Sequence, residues 1–197
     1  MTDKNAVGVT VVGHDSEARI LVNGYEEAGS YVRDVHYLGA GLTSVEQLAG
    51  FPNVSAHCEQ FIKYECYNAL LFFSSPLGNP SSWLVSRDLI ALTYWGGATP
   101  ADFHKCACGV TSPNSCADTT RRCNCDKNDL VWREDSGLLT EKSDLPIIQL
   151  KFGDTGSSTE KGYHTLGKLR CYGMAWNYLA KTPNNGKRQI CQLSSVV

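Results

Sequence analysis

The chain has 197 residues, with 18 Lys+Arg against 20 Asp+Glu for a formal charge of −2, and nine cysteines. That length fits one domain with a core of its own, and the near-neutral balance excludes the strongly basic footprint of a nucleic-acid binder or a polybasic membrane-surface protein. At 42% hydrophobic and 19% charged residues the composition is not that of a disordered chain, and no apolar run approaches the ~20 residues of a membrane span, so direct membrane insertion is not expected.

In chain order, residues 1–13 open on a polar stretch and read as an N-terminal extension. Residues 31–37 alternate in part and predict a strand. Ser44-Val45-Glu46-Gln47 has the form of a capping box, with Leu42, Val45 and Leu48 on one helical face, so a short helix is expected there, closed by Gly50 and Pro52. Residues 61–66 alternate strictly, with Ile62, Tyr64 and Cys66 on one side and Lys63 and Glu65 on the other, a half-buried strand. Segments 70–73, 83–85 and 89–95 predict further strands, separated by the turn-rich 74–82. Residues 96–126 form a Gly/Pro/Cys-rich excursion too long to stay ordered without cross-links. A strand is expected at 147–152, a polar loop at 153–162 and a return strand at 166–172. Residues 174–197, with Pro183-Asn184-Asn185-Gly186, read as a C-terminal tail. The expected class is α+β, predominantly β, in one domain.

The cysteines stand at 58, 66, 106, 108, 116, 123, 125, 171 and 191. A cluster such as 106–125 is built either from disulfides in an oxidising compartment or from thiolates on a soft metal. Structural zinc sites space their ligand pairs as C-x₂₋₄-C; both pairs here are the tighter C-x-C, which favours disulfides. Eight cysteines pair in about 105 ways, and spacing does not choose among them. Cys191, alone in the polar tail, is expected to be a free thiol or an intermolecular link, which would make a homo-oligomer. The N-terminus shows no apolar signal-peptide core, so the chain reads either as an excised or mature piece of a secreted protein or as a cytosolic protein with reduced thiols. Asn53-Val54-Ser55 is a glycosylation acceptor sequence and leans toward secretion.

Few constellations suggest chemistry. Gly162 to Lys168 has the G-x-x-x-x-G-K spacing of a phosphate loop, but Leu169 stands where that motif needs Ser or Thr to hold Mg²⁺. No G-x-S-x-G or H-E-x-x-H occurs, and His14, His36, His57, His104 and His164 are scattered. Asp126, Asn128 and Asp129 gather hard oxygen ligands just after Cys125, so Ca²⁺ is the cofactor this loop could hold. Against an EF-type loop, Leu130 falls at the fifth position and no glycine makes the bend. Asp154-Thr155-Gly156 reads as a turn. Trp83, Tyr94, Trp95 and Trp132 are candidates for an aromatic floor under a sugar, although such residues more often belong to a core.

The cysteine segment carries a resemblance. Tyr94-Trp95-Gly96-Gly97, Lys105-Cys106-Ala107-Cys108-Gly109, Cys116, Cys123-Asn124-Cys125-Asp126, Trp132, Asp135-Ser136-Gly137, Leu145-Pro146, Gly153-Asp154-Thr155 and Leu166 through Gly173 resemble the fibrinogen-like domain of contactin-associated (neurexin-type) proteins. Arg33-Asp34-Val35, Tyr37 and Cys58 through Cys66 match the same family, and the last of these is also similar to part of the C-terminal propeptide domain of fibrillar collagens. The resemblance spans about residues 14–173. It implies a fibrinogen C-terminal-like fold in an extracellular, disulfide-bonded module in which Cys58, Cys66, Cys106, Cys108, Cys116, Cys123, Cys125 and Cys171 are the bonded set. It further implies a non-catalytic recognition or adhesion role toward a protein or glycan. Two other roles remain open: a soluble lectin using Trp95, Trp132, Asp126 and Asp129 with or without Ca²⁺, and a structural extracellular scaffold. The tryptophan-rich ligand segment of ordinary fibrinogen-like lectins is not recognisable here, so no acetyl-group pocket carries over.

Overall fold

A computed structural model describes residues 8–38, 45–73 and 80–174. Cys191 and the expected tail lie outside these residues. The elements in chain order are β1 (Val9–His14), β2 (Ile20–Val22), β3 (Tyr31–Asp34), β4 (Tyr37–Leu38), α1 (Val45–Val54), β5 (Ser55–Tyr67), β6 (Trp83–Ser86), β7 (Ala91–Leu92), α2 (Ala107–Val110), β8 (Arg133–Leu139), β9 (Ile147–Phe152), β10 (Lys161–Leu166) and β11 (Leu169–Met174). The fold is predominantly β, as its alternating segments predict.

One sheet is organised around β5, whose 13 residues alternate buried and open almost throughout. β10 and β11 run antiparallel along it in succession, Leu166 opposite Ile62 and Arg170 opposite Glu59. Between these pairs three residues on one side oppose two on the other, a bulge at Gly167-Lys168 that keeps Leu169 and Cys171 facing inward. The stretch with phosphate-loop spacing is therefore a strand followed by a bulge. β8 pairs with β5 from Gln60 to Cys66, while β2 borders β10, and β1 lies between β11 and β4. β1 begins at Val9, so the expected boundary at residue 14 falls on the last residue of a sheet strand.

A second antiparallel sheet, in the order β3-β9-β6-β7, supplies Leu84, Leu92, Leu150 and Phe152 to the shared core. Phe152 stacks on Tyr64 at 4.6 Å between ring centroids and on His164 at 5.5 Å, which joins the two sheets. A polar tie crosses the same gap. Buried Gln60 donates from Nε2 to the Gly167 carbonyl at 3.0 Å and to the Tyr37 hydroxyl at 2.8 Å, and its Oε1 accepts the Ile147 N–H at 3.1 Å. Tyr37 in turn donates to the Ile147 carbonyl at 2.8 Å. All the polar groups of Gln60 are thereby used inside the protein, as burial requires.

Three expectations are corrected. α1 continues through Gly50 and Pro52 to Val54 and feeds directly into β5; the packing of Leu48 and Phe51 on the core outweighs the helix-breaking residues. Residues 70–73 form no ladder, because their N–H groups are taken by carboxylates instead of strand carbonyls. Of 89–95 only Ala91–Leu92 pairs, against β6. Trp95 then leaves the sheet for the cysteine excursion.

Candidate functional site

The eight cysteines of the expected set form four disulfides: Cys58–Cys171, Cys66–Cys125, Cys106–Cys123 and Cys108–Cys116. The first ties β5 to β11 in direct register. The second fastens the excursion to the end of β5, and the other two close loops within it. Two buried carboxylates complete the attachment. Asp135 on β8 accepts the N–H of Asn124 and of Cys125, each at 2.9 Å. Asp126 Oδ1 accepts the N–H groups of Leu71, Phe72 and Phe73 at 3.1, 3.0 and 3.4 Å. Burial pushes the Asp135 carboxyl up to about 6 despite these donors, and it pushes Asp126 up as well. At Gly96 and Gly137 the excursion and β8 meet backbone to backbone, and a Cβ on Gly96 would come within 2.4 Å of the Gly137 carbonyl oxygen.

This framework separates the residues expected to act together. Trp95 is fully buried, donating from Nε1 to the Asp135 carbonyl at 3.0 Å. Tyr94 is also buried and donates to Asp144 at 2.6 Å, while Trp83 lies against Gly29, so the four aromatics do not share a floor. Asp126 faces the 70–73 backbone. Asp129 faces the other way, in a bidentate pair with Arg133 at 2.8 and 2.7 Å, with Lys127 at 3.5 Å. The Arg133 guanidinium holds the Asp129 carboxyl below the ordinary range. Asn128, in the left-handed region at φ 51°, ends the 3₁₀ turn Cys125–Lys127. Among the described residues the one group of three side chains close enough to share an ion is Cys106, Cys123 and Asp135, and its two sulfurs are bonded to each other. Asn53 is exposed in the last turn of α1.

Trp132, 46% exposed, lies elsewhere. It immediately precedes β8 and stands over the far end of β5, with its ring centroid 5.4 Å from Tyr67 and 5.7 Å from Tyr163. The strand period explains the grouping: Lys63, Glu65 and Tyr67 of β5, Lys161 and Tyr163 of β10 and Glu134 of β8 all point away from the core. In the ladder Tyr163 is opposite Glu65 and Lys161 opposite Tyr67. Arg19, just before β2, places its guanidinium carbon 3.3 Å from the Tyr163 ring centroid and binds Glu65 through Nε at 2.8 Å and Nη2 at 3.2 Å. This bidentate pair holds the Glu65 carboxyl below its ordinary range. Lys63 bridges Glu65 and Glu134 at 3.4 and 3.6 Å. The Lys161 ammonium lies 5.3 Å from the Tyr67 centroid and 5.8 Å from that of Trp132.

The result is a shallow groove lined by Arg19, Glu65, Trp132, Arg133 and Glu134, with an aromatic-cationic wall. Its chemistry is recognition by stacking, cation–π contact and charged hydrogen bonds. Sequence reasoning named Trp132 but missed Arg19, Tyr67, Lys161 and Tyr163. The outward phase of β5 carried the signal for Tyr67, whereas Arg19 and the β10 residues depend on a pairing that the sequence does not display.

No protein-family model matches the chain. The chain is 41% identical over 170 residues to Neurexin-4 of Drosophila melanogaster, which covers 84% of this chain and 13% of that protein. It is 38% identical over 173 residues to contactin-associated protein 1 of Homo sapiens, covering 87% of this chain and 12% of the relative. The rat counterpart is 37% identical over 173 residues. The chain is thus a homologue of one segment of neurexin-type and contactin-associated proteins and spans about an eighth of the length of these curated relatives.

Proposed function

We propose that the chain is an extracellular, non-catalytic recognition and adhesion module of the neurexin/contactin-associated protein family, with a fibrinogen-like fold, and that it binds a protein partner through the Trp132 surface. The observation that carries this reading is the rigid cluster of Trp132, Tyr67, Tyr163 and Arg19 left open on a sheet whose other face is core. Trp, Tyr and Arg dominate binding hot spots, because they offer large contact area with few rotamers to freeze. The four disulfides support an oxidising compartment. Two of the five histidines fit a non-catalytic role: His164 is buried against Phe152 and Tyr31, and His14 is buried with Nε2 on the Gly167 carbonyl.

The name of contactin-associated protein 1 records association with contactin, and a contactin ectodomain is accordingly the first partner to try. Titration of the oxidised chain over immobilised contactin ectodomain is expected to show saturable binding that is lost after reduction and alkylation. Absence of binding by the oxidised chain, with binding to a glycan array in its place, would overturn the protein-partner reading in favour of the lectin.

A further inference from the structure

We infer that the Trp132 surface selects a partner segment that carries acidic side chains next to apolar ones; this rests on the recognition role proposed above and gives it a chemical specificity. The charge around the groove favours such a segment. Around the groove Arg19, Lys63, Lys127, Arg133 and Lys161 meet only Glu65, Glu134 and Asp129. The local surplus is positive on a chain whose formal charge is −2. Glu160, next to Lys161, turns back to accept the Ser157 N–H at 2.9 Å, and counting it still leaves five cations to four carboxylates. Among the described residues Lys161 makes no ion pair and rests over the two aromatic rings, so a carboxylate from outside finds a cation already held in place.

The apolar rim of the groove favours the same occupant. Leu130, Val131 and Trp132 are consecutive and exposed by 58%, 53% and 46%, and Leu21, paired with Tyr163, is exposed by 48%. A sulfated polysaccharide would use a row of free cations, whereas here all the cations except Lys161 are engaged with carboxylates. An unsulfated sugar would stack on Trp132 but gain nothing from Leu130 and Val131. An acidic, apolar protein segment uses all three features. The acceptor sequence at Asn53 does not interfere, since β5 separates it from Tyr67 by about 40 Å of extended strand.

The test is selection of a random-peptide display library on the oxidised chain, with the enriched peptides and heparin each titrated against the parent, Trp132→Ala, Trp132→Phe and Lys161→Glu. The expected result is enrichment of peptides that pair Asp or Glu with Leu, Phe or Trp. Their affinity should fall about tenfold or more in W132A and K161E, be largely kept in W132F and weaken with added salt, while the unfolding midpoints stay put. Lack of enrichment, enrichment of neutral or basic peptides, or indifference to W132A and K161E would overturn it. So would heparin binding abolished by K161E while peptide binding is unchanged. Contactin-ectodomain binding that survives both variants would leave the recognition role standing and remove this surface from it.

Discussion

The β5-centred sheet and the cysteine excursion 96–126 solve the same problem by different means. In the sheet, buried N–H groups meet strand carbonyls, and rows of alternating side chains close the core. In the excursion there is no ladder, and the N–H groups of Asn124 and Cys125 meet the Asp135 carboxylate instead. Asp126 performs the same service for Leu71 to Phe73. Where the backbone cannot pair with itself, side-chain carboxylates and disulfides replace it, and aspartates that look like ligands from sequence become structural acceptors.

The largest expected effect lies within the sheet, where a disulfide links β5 to β11. Cys58→Ser with Cys171→Ser removes the bridge with the longest span, 113 residues, and the loop-closure estimate puts the loss at about 5 kcal/mol. Denaturant unfolding should show that loss across the whole molecule. Asp135→Ala leaves the buried Cys125 N–H and the part-buried Asn124 N–H without an acceptor and is expected to cost about 3 kcal/mol. Hydrogen exchange should rise at residues 124–125 before it rises in β5; exchange rising first in β5 would contradict the division of labour drawn here.

The third effect is on pH. Burial drives the His164 imidazole down to about 4 from 6.5, with Arg33 adding to the shift. The folded state then holds fewer protons than the unfolded one, so this contribution is complete above pH 6.5 and is lost as the pH falls through 6.5 toward 4, a total of about 3 kcal/mol. Asp135, raised to about 6 from 3.8, runs the opposite way and gains stability over the window between those values as the pH falls. His164→Gln should therefore flatten or reverse the acid side of the stability profile measured by chemical unfolding. A variant as acid-sensitive as the parent would remove His164 from that account. The smallest effect on stability belongs to Trp132→Ala, expected within about 0.5 kcal/mol of the parent, since the side chain is half exposed and its loss opens no cavity in the core.

Much of the sheet was legible in the sequence because period-2 alternation is local: Ile62, Tyr64 and Cys66 turn inward in β5, as their spacing predicts. The resemblance likewise named the eight cysteines, but not their pairing, which depends on where β8 and the excursion meet the end of β5. The site was less legible. Asp126 and Asp129 are near in sequence yet face apart, because a 3₁₀ turn and a left-handed Asn128 lie between them. Trp95 and Trp132, grouped by residue type, are divided between core and surface by the close contact of Gly96 with Gly137. Tyr163 and Arg19 reach Trp132 only through long-range antiparallel pairing.

The central claim is that recognition belongs to the open end of the β5 sheet and not to the disulfide loops. It is tested most directly by measuring binding of the oxidised parent and Trp132→Ala to contactin ectodomain beside their unfolding midpoints. The account predicts affinity lower by about tenfold or more at an unchanged midpoint. Unchanged affinity in W132A, or a loss of affinity that only tracks a lowered midpoint, would contradict it.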